Sequence, residues 1–468
     1  MHYDVAIIGA GPAGIFAAYE LIKQNEKIKI VMIEQGKDIY SRKCPLASNK
    51  IKQCVHCDPC AIMRGFGGAG AFSDGKYNFT TKFGGWLTDY LSENEVMNLI
   101  KYVDNINYCF TPAPDDPRDD KHFPAVHTTK GSKIKTEALK YDLHLLDASV
   151  RHLGTENNLE ILQNIYEFLK NKITMIFEST VHNILENNNG YELNIDNEKI
   201  ISTYLIAAPG RAGAEWFSQE CKNMGLQQIN NQVDIGVRVE LPSETWKHIT
   251  DEVYEAKLQY RTKKYNDLVR TFCMNPNGFV VEENVDGIVT VNGHSFDNEH
   301  LGSTNTNFAL LVSNTFTEPF NQPHQYGKRI ASFSNMLGGG IIVQRFGDLI
   351  NGRRTNERRL MKSFVKPTLT ATPGDLSLVL PKRHLDNIIE MIYALDHVAP
   401  GTANDDTLLY GVEVKFYSAR LKLTNELETE KTNMFAIGDG AGITRGLSQA
   451  SASGIHVARI ITKRLQIN

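Results

Sequence analysis

The sequence predicts an α/β protein. A Rossmann-like dinucleotide-binding domain, a parallel sheet plus a β-meander, carries an inserted α+β domain built on an antiparallel sheet. Three observations predict it. The chain opens on a strand, a glycine turn, a helix and a second strand, DVAIIGAGPAGIFAAYELIK followed by KIKIVMIEQG. Near its end MFAIGDGAGITRGLSQASASG again runs from a short apolar strand through glycines into a small-residue helix. Between about 236 and 410 the pattern turns β-rich, with GVRVEL, GFVVEE, GIVTVNG and FALLVS.

In the opening unit Val5 to Ile8 is an apolar strand, and Gly9, Gly11 and Gly14 complete G-x-G-x-x-G, with Pro12 and Ala13 starting the helix. Gly9 permits the tight turn, Gly11 lets the backbone approach a pyrophosphate, and Gly14 lets the helix lie close to the strand. The helix N-terminus offers N–H groups to the phosphates. The second strand ends at Glu34, twenty residues after Gly14, with Gln35 next. A carboxylate there accepts from ribose hydroxyls and disfavours a 2′-phosphate, so FAD or NAD is expected rather than NADP. Gly338, Gly339 and Gly340 do not repeat the spacing. No second nucleotide domain is expected, and electrons would come from a transiently docked NAD(P)H or a redox protein.

Further along, IFESTVHNIL and YELNID, joined by Asn-Asn-Asn-Gly, form a hairpin. Leu139, Leu143, Leu146, Val150 and Leu153 have the four-three spacing of a helix, as do Leu159, Leu162, Ile165 and Leu169. Helices are also expected near 321–337 and 384–395, and a proline-rich loop at FTPAPDDPRDD. The expected division is a discontinuous FAD-binding domain of residues 1–85, 135–235 and 411–468, and a substrate or cap domain of 86–134 and 236–410.

The 468 residues exceed one ordinary domain. A net charge of −4 argues against nucleic-acid partners and general attraction to anionic lipid. The local cations Arg353, Arg354, Arg358 and Arg359 read as solvated surface. No apolar run is long enough to insert in a membrane, and the N-terminus lacks the basic region of a signal peptide, so a cytoplasmic location is expected. Of seven cysteines, four crowd together: Cys44, Cys54, Cys57 and Cys60. Their spacing suits an Fe–S cluster with an upstream fourth ligand, a zinc knuckle, a redox dithiol or a loop of inert thiols. His56 among them reads as an exposed loop residue.

The chain resembles the uncharacterised FAD-dependent dehydrogenases (NAD/FAD-utilising oxidoreductases) of bacteria, archaea and plastids, whose FAD domain is of the two-motif, glutathione-reductase-like kind. The resemblance rests on GFGGAGAFSDGK, VDIGVRVE, TFCMNPNGFVV, VNGHSF, VQRFGDL, LLYGVEVK and AIGDGAGITRGLSQASASG, in order along the chain. It implies that Gly67, Gly68, Ala69 and Gly70 form a loop along the cofactor, with Ser73 and Asp74 at flavin edges and Lys76 holding negative charge near the ring. It implies that Gly438 and Asp439 meet the ribityl chain, while Gly446, Leu447, Ser448 and Gln449 bring a helix N-terminus to the flavin. Val181 would meet adenine through its backbone. YLIAAPGRAG resembles the strand-plus-A-T-G segment of such proteins, with Ala208, Pro209 and Gly210 in place and the threonine missing.

The implied function is an FAD-dependent dehydrogenase or reductase exchanging a hydride or electrons between flavin N5 and a small organic substrate. A monooxygenase and a flavin-bearing redox sensor with little turnover are the alternatives. Catalytic candidates are Arg238, as a carboxylate clamp or a core partner of Glu240 or Glu413, His294, as an acid or base, and Lys76. Glu413 and Arg445 are weaker ones.

Overall fold

The computed structural model describes every residue except 1, 46–54, 56, 114–122, 189, 197, 230, 254–255, 286, 296–301, 317–321, 416–419 and 468. The chain divides into two compact units: Met1–Val126 with Ser149–Ile229 and Ser418–Asn468, and His127–Ala148 with Asn230–Tyr417.

The first unit is built on a seven-stranded sheet. Strand β1 (His2–Ile8) lies between β2 (Ile30–Ile33) and the strand Glu198–Ala207, parallel to both. Thr174–Ile176 extends the sheet beyond β2, also parallel. Every residue of β2 is buried, as expected for a parallel strand covered on both faces. The ten-residue strand Glu198–Ala207 serves two sheets' worth of pairing. Its first half closes the antiparallel meander of Val181–Asn187 and Gly190–Ile195, and its second half pairs in parallel with Met434–Ala436. Helix α1 (Pro12–Gln24) has proline in its first turn and a glycine N-cap that supplies no side-chain acceptor. It packs on the C-terminal helix Leu447–Ile467, where a Cβ on Gly454 would come within 2.1 Å of Ala13 O. Small residues on both helices are what allow that approach.

The second unit is built on an eight-stranded, mostly antiparallel sheet. Val233–Pro242 and Asn305–Asn314 pair at its centre, flanked by Leu408–Lys415 and Leu268–Asn275. The helices Pro323–Gly338 and Lys382–Val398 appear where expected. Trp246 and Phe308, with ring centroids 4.7 Å apart, anchor its core.

Two expectations are corrected. Residues 139–153 are not a helix: Lys133–Leu139 is, and Leu143–Leu145 and Ser149–His152 are strands. Asp142 at φ +60° ends the helix, and Leu143 and Leu145 are buried on either side of exposed His144, a period of two. The strand Leu143–Leu145 pairs with Leu258–Arg261, so 127–148 belong to the second unit, whereas 86–126, with the capped helix Glu93–Phe110, belong to the first. No helix among the described residues is long and apolar enough to cross a membrane.

Candidate cofactor site

A cavity of about 430 Å³ lies in the first unit, lined by residues at the carboxyl ends of its parallel strands. In sheet order these ends carry Glu34 after β2, Gly9 after β1, Ala208 after Glu198–Ala207 and Gly438 after Met434–Ala436. This is where α/β folds bind nucleotides.

The glycine turn is sterically exacting. Gly9 has φ +99°, and a Cβ there would sit 2.2 Å from Ala208 O. A Cβ on Gly14 would sit 2.1 Å from Gly9 O, so Gly14 packs the turn and does not line the cavity. Gly11 differs from both: nothing lies within 4 Å of its missing Cβ, and with Pro12 and Ala13 it faces the cavity. The open space beside Gly11 is where a ligand's phosphates fit against free helix N–H groups.

Glu34 is nearly buried and lines the cavity. Its Oε2 accepts from Ala10 N (2.8 Å), and its Oε1 accepts from Gly36 N (2.8 Å) and Gly65 N (2.9 Å). One carboxylate thus ties together the turn after β1, the turn after β2 and the start of the glycine loop. The segment before that loop is held by Arg42, which sequence reasoning missed. Buried Arg42 donates to the carbonyls of Ala61 (3.0 Å), Ile62 (2.9 Å) and Phe66 (2.6 Å). Burial lowers its pKa to about 10, against the opposing pull of Glu34. Met63 and Arg64 are thereby delivered to the cavity wall. Nothing in the local sequence marks Arg42, because its partners are all carbonyls.

The glycine loop lies against both helices. A Cβ on Gly68 would be 3.1 Å from Gly11 Cα, and one on Gly70 would be 2.7 Å from Leu447 Cδ2. Gly68, Ala69, Gly70, Ser73, Asp74 and Lys76 all line the cavity; Gly67, at φ +88°, packs instead on Ala71 and Leu162. Ser73 Oγ donates to Gly70 O at 2.7 Å. Lys76 Nζ is 2.8 Å from Asp74 Oδ2, and His152 Nε2 is 3.7 Å from the same oxygen. Pairing of Lys76–Asn78 with Ser149–His152 places Lys76 opposite His152. His152 was also missed, its signal hidden by the mistaken helix.

Gln35, Val181, Ala208, Gly210, Gly438, Asp439, Gly446 and Leu447 complete the expected lining, with Ser179, Thr180, Arg211 and Trp216 as unforeseen additions. Asp439 accepts from Thr444 Oγ1 (2.8 Å) and Gly446 N (3.3 Å). Burial pushes its carboxyl above the usual carboxylate range, with the charges of Arg211 and Arg445 opposing. Ser448 and Gln449 do not line the cavity. Gln449 pins the 83–87 segment, donating to Phe83 O at 3.1 Å. Trp216 Nε1 and Ser448 Oγ are buried without a hydrogen-bond partner among the described residues. The void beside Gly11, the unpartnered Trp216 donor and the acids Glu34 and Asp439 together fit an FAD-sized dinucleotide.

The second unit overturns one candidate. Arg238 is fully buried, and its five N–H donors are all engaged. Nε and Nη2 grip Glu413 at 2.8 and 2.9 Å, Nη1 reaches Asn307 Oδ1 (2.8 Å) and Cys273 O (3.1 Å), and Nη2 reaches Asn292 Oδ1 (3.3 Å). No donor remains for a substrate carboxylate, so Arg238 is a core ion pair, the other of its two expected roles. His294 is half-buried on the hairpin strand Ile288–His294, opposite Phe279. Of the expected metal ligands, Cys44, Cys57 and Cys60 are described, while Cys54 and His56 lie outside the described residues. Among the described residues no three ligand-type side chains gather, so neither the Fe–S nor the zinc reading gains support. Cys60 begins a turn whose next residues, Met63 and Arg64, reach the Glu34 end of the cavity, away from Asp74 and Lys76.

Two family profiles match the chain. Residues 3–63 match the pyridine nucleotide-disulphide oxidoreductases, and residues 232–416 match the C-terminal domain-like part of FAD-dependent proteins. The second match spans nearly the same residues as the second unit. An uncharacterised protein of Clostridium beijerinckii is 26% identical over 98% of this chain and 81% of its own length. The mitochondrial L-2-hydroxyglutarate dehydrogenase of Dictyostelium discoideum is 40% identical over 12% of this chain and 11% of its own. Among solved structures, E. coli quinol fumarate reductase aligns with a TM-score of 0.41 at 13% identity, covering 100% of this chain and 71% of that one.

Proposed function

We propose that this chain, an FAD-dependent oxidoreductase by the two family matches, is a dehydrogenase or reductase whose FAD domain is of the two-motif kind. Bound FAD supplies hydride and electron transfer at N5 to a small organic substrate. The carrying observation is that the glycine turn, Glu34 and the Gly438-Asp439 turn, which lie in separate parts of the sequence, line one cavity.

The chain's own residues divide the work. Backbone N–H groups at Gly11 to Ala13 receive the pyrophosphate. Glu34, its carboxylate already fixed by three N–H donors, accepts from the ribose hydroxyls. Asp439, held by Thr444 and Gly446, receives the ribityl hydroxyls, a role eased by its raised proton affinity. Lys76, ion-paired to Asp74 beside His152, is the cationic donor of the cavity wall and holds developing negative charge. The second unit is the substrate domain. The electron partner is a nicotinamide that docks transiently or a redox protein.

Anaerobic titration of the purified protein with visible spectroscopy tests this. Flavin absorption that bleaches with one class of electron donor and returns with substrate is expected. A colourless protein that fails to take up added FAD overturns the reading.

A further inference from the structure

We propose that residues 353–366 of the second unit form a docking surface for a membrane leaflet rich in anionic phospholipid. The contact is peripheral, and no segment spans the bilayer. The stretch RRTNERRLMKSFVK carries six basic residues and one acid in a chain whose net charge is −4. Two of the cations lean on buried Asp348: Arg353 Nε at 2.7 Å and Arg359 Nε at 3.8 Å. No described carboxylate pairs with Arg354, Arg358 or Lys362, and Arg354, Arg358, Lys362 and Lys366 are exposed.

Among these cations stand two large apolar side chains left in water. Phe364 is 79% exposed and Met361 70%. Neither belongs to a loose loop. Asn356 caps the helix Glu357–Lys362 by accepting from Arg359 N at 3.0 Å, and Lys366 Nζ closes its other end on the carbonyls of Met361 and Ser363, both at 2.9 Å. Thr355, Ser363 and Val365 are buried. Phe364 N donates to Asp406 Oδ2 at 2.8 Å. The backbone is therefore fixed on both sides of Phe364 while its ring points to solvent, at the full cost of exposing it.

A protruding apolar pair ringed by unpaired cations suits a bilayer interface: rings and thioethers enter the acyl boundary while Arg and Lys meet headgroup phosphates. A single-stranded nucleic acid would instead call for a groove with several stacking faces, and this segment offers one aromatic ring on a convex helix–turn.

The test is co-sedimentation of the full-length holoprotein with vesicles of phosphatidylcholine, alone or with 30% phosphatidylglycerol. Binding to the anionic vesicles only is expected, and its loss in 0.5 M NaCl. The triple variant R354S/R358S/K362S should bind roughly a hundredfold more weakly, given the usual contribution of each surface cation. F364S should bind about tenfold more weakly. Melting temperatures of both should stay within about 2 °C of the parent, since these side chains touch nothing that folds the unit. In F364W, fluorescence should shift to the blue on adding anionic vesicles. Failure to bind them at low salt overturns the proposal. So does binding that the variants leave undiminished, or salt-sensitive binding to single-stranded RNA that outcompetes the vesicles.

Discussion

Each unit buries an ionic group at its centre, and the two groups are held in opposite ways. Glu34 is held by three backbone N–H donors, two on one oxygen and one on the other, and it still borders the cavity. Arg238 is held chiefly by side chains, Glu413, Asn307 and Asn292, and every donor it owns is used. A buried charge with capacity left over is a binding group, while a saturated one is structure. In sequence both stand in segments that suggest chemistry; only partner counting separates them.

The sharpest way to break that comparison is to cut the saturated pair. Glu413→Ala leaves Arg238 uncompensated in the interior, and urea unfolding should show a loss of about 3–5 kcal/mol. If stability holds and only turnover falls, Arg238 is not core structure. Next in size is a buried group with no hydrogen-bond partner. His384 is buried with neither ring nitrogen bonded among the described residues, and burial lowers its pKa to about 4. The unfolded chain takes up a proton near 6.5 that the folded one refuses. Stability is therefore full above pH 6.5 and falls by up to about 3 kcal/mol as pH drops from 6.5 to 4. His384→Leu should flatten that slope in melts across the window.

Of intermediate size is the group with capacity to spare. Glu34→Ala strands three buried N–H donors and should cost about 2–3 kcal/mol. Equilibrium dialysis should show FAD held at least tenfold more weakly; unchanged retention would reduce Glu34 to a staple. The smallest effect on binding is expected at Lys76. Lys76→Met should leave FAD uptake within a few-fold of the parent while slowing reduction by roughly ten- to a hundredfold. Equal losses in both would make Lys76 a binding residue alone.

Legibility from sequence followed the range of the forces involved. The helix Thr155–Leu169 and the meander were readable because their patterns are local and agree with the tertiary outcome. Residues 139–153 were misread because leucines spaced for a helix were also spaced for two buried strand faces, and a single left-handed residue at Asp142 decided between them. Arg42, His152 and Trp216 carry no motif, and they matter only through what folds against them.

What the sequence by itself determined is the glycine turn, the acid twenty residues on and the Gly-Asp turn. Each is forced within a few bonds, by a backbone angle or a close approach that only one kind of residue tolerates. Tertiary structure alone decided that these turns converge on one cavity, that Lys76 faces Asp74 and His152, and that Arg238 has nothing left to give. Those outcomes depend on contacts between segments tens to hundreds of residues apart, which no local pattern encodes.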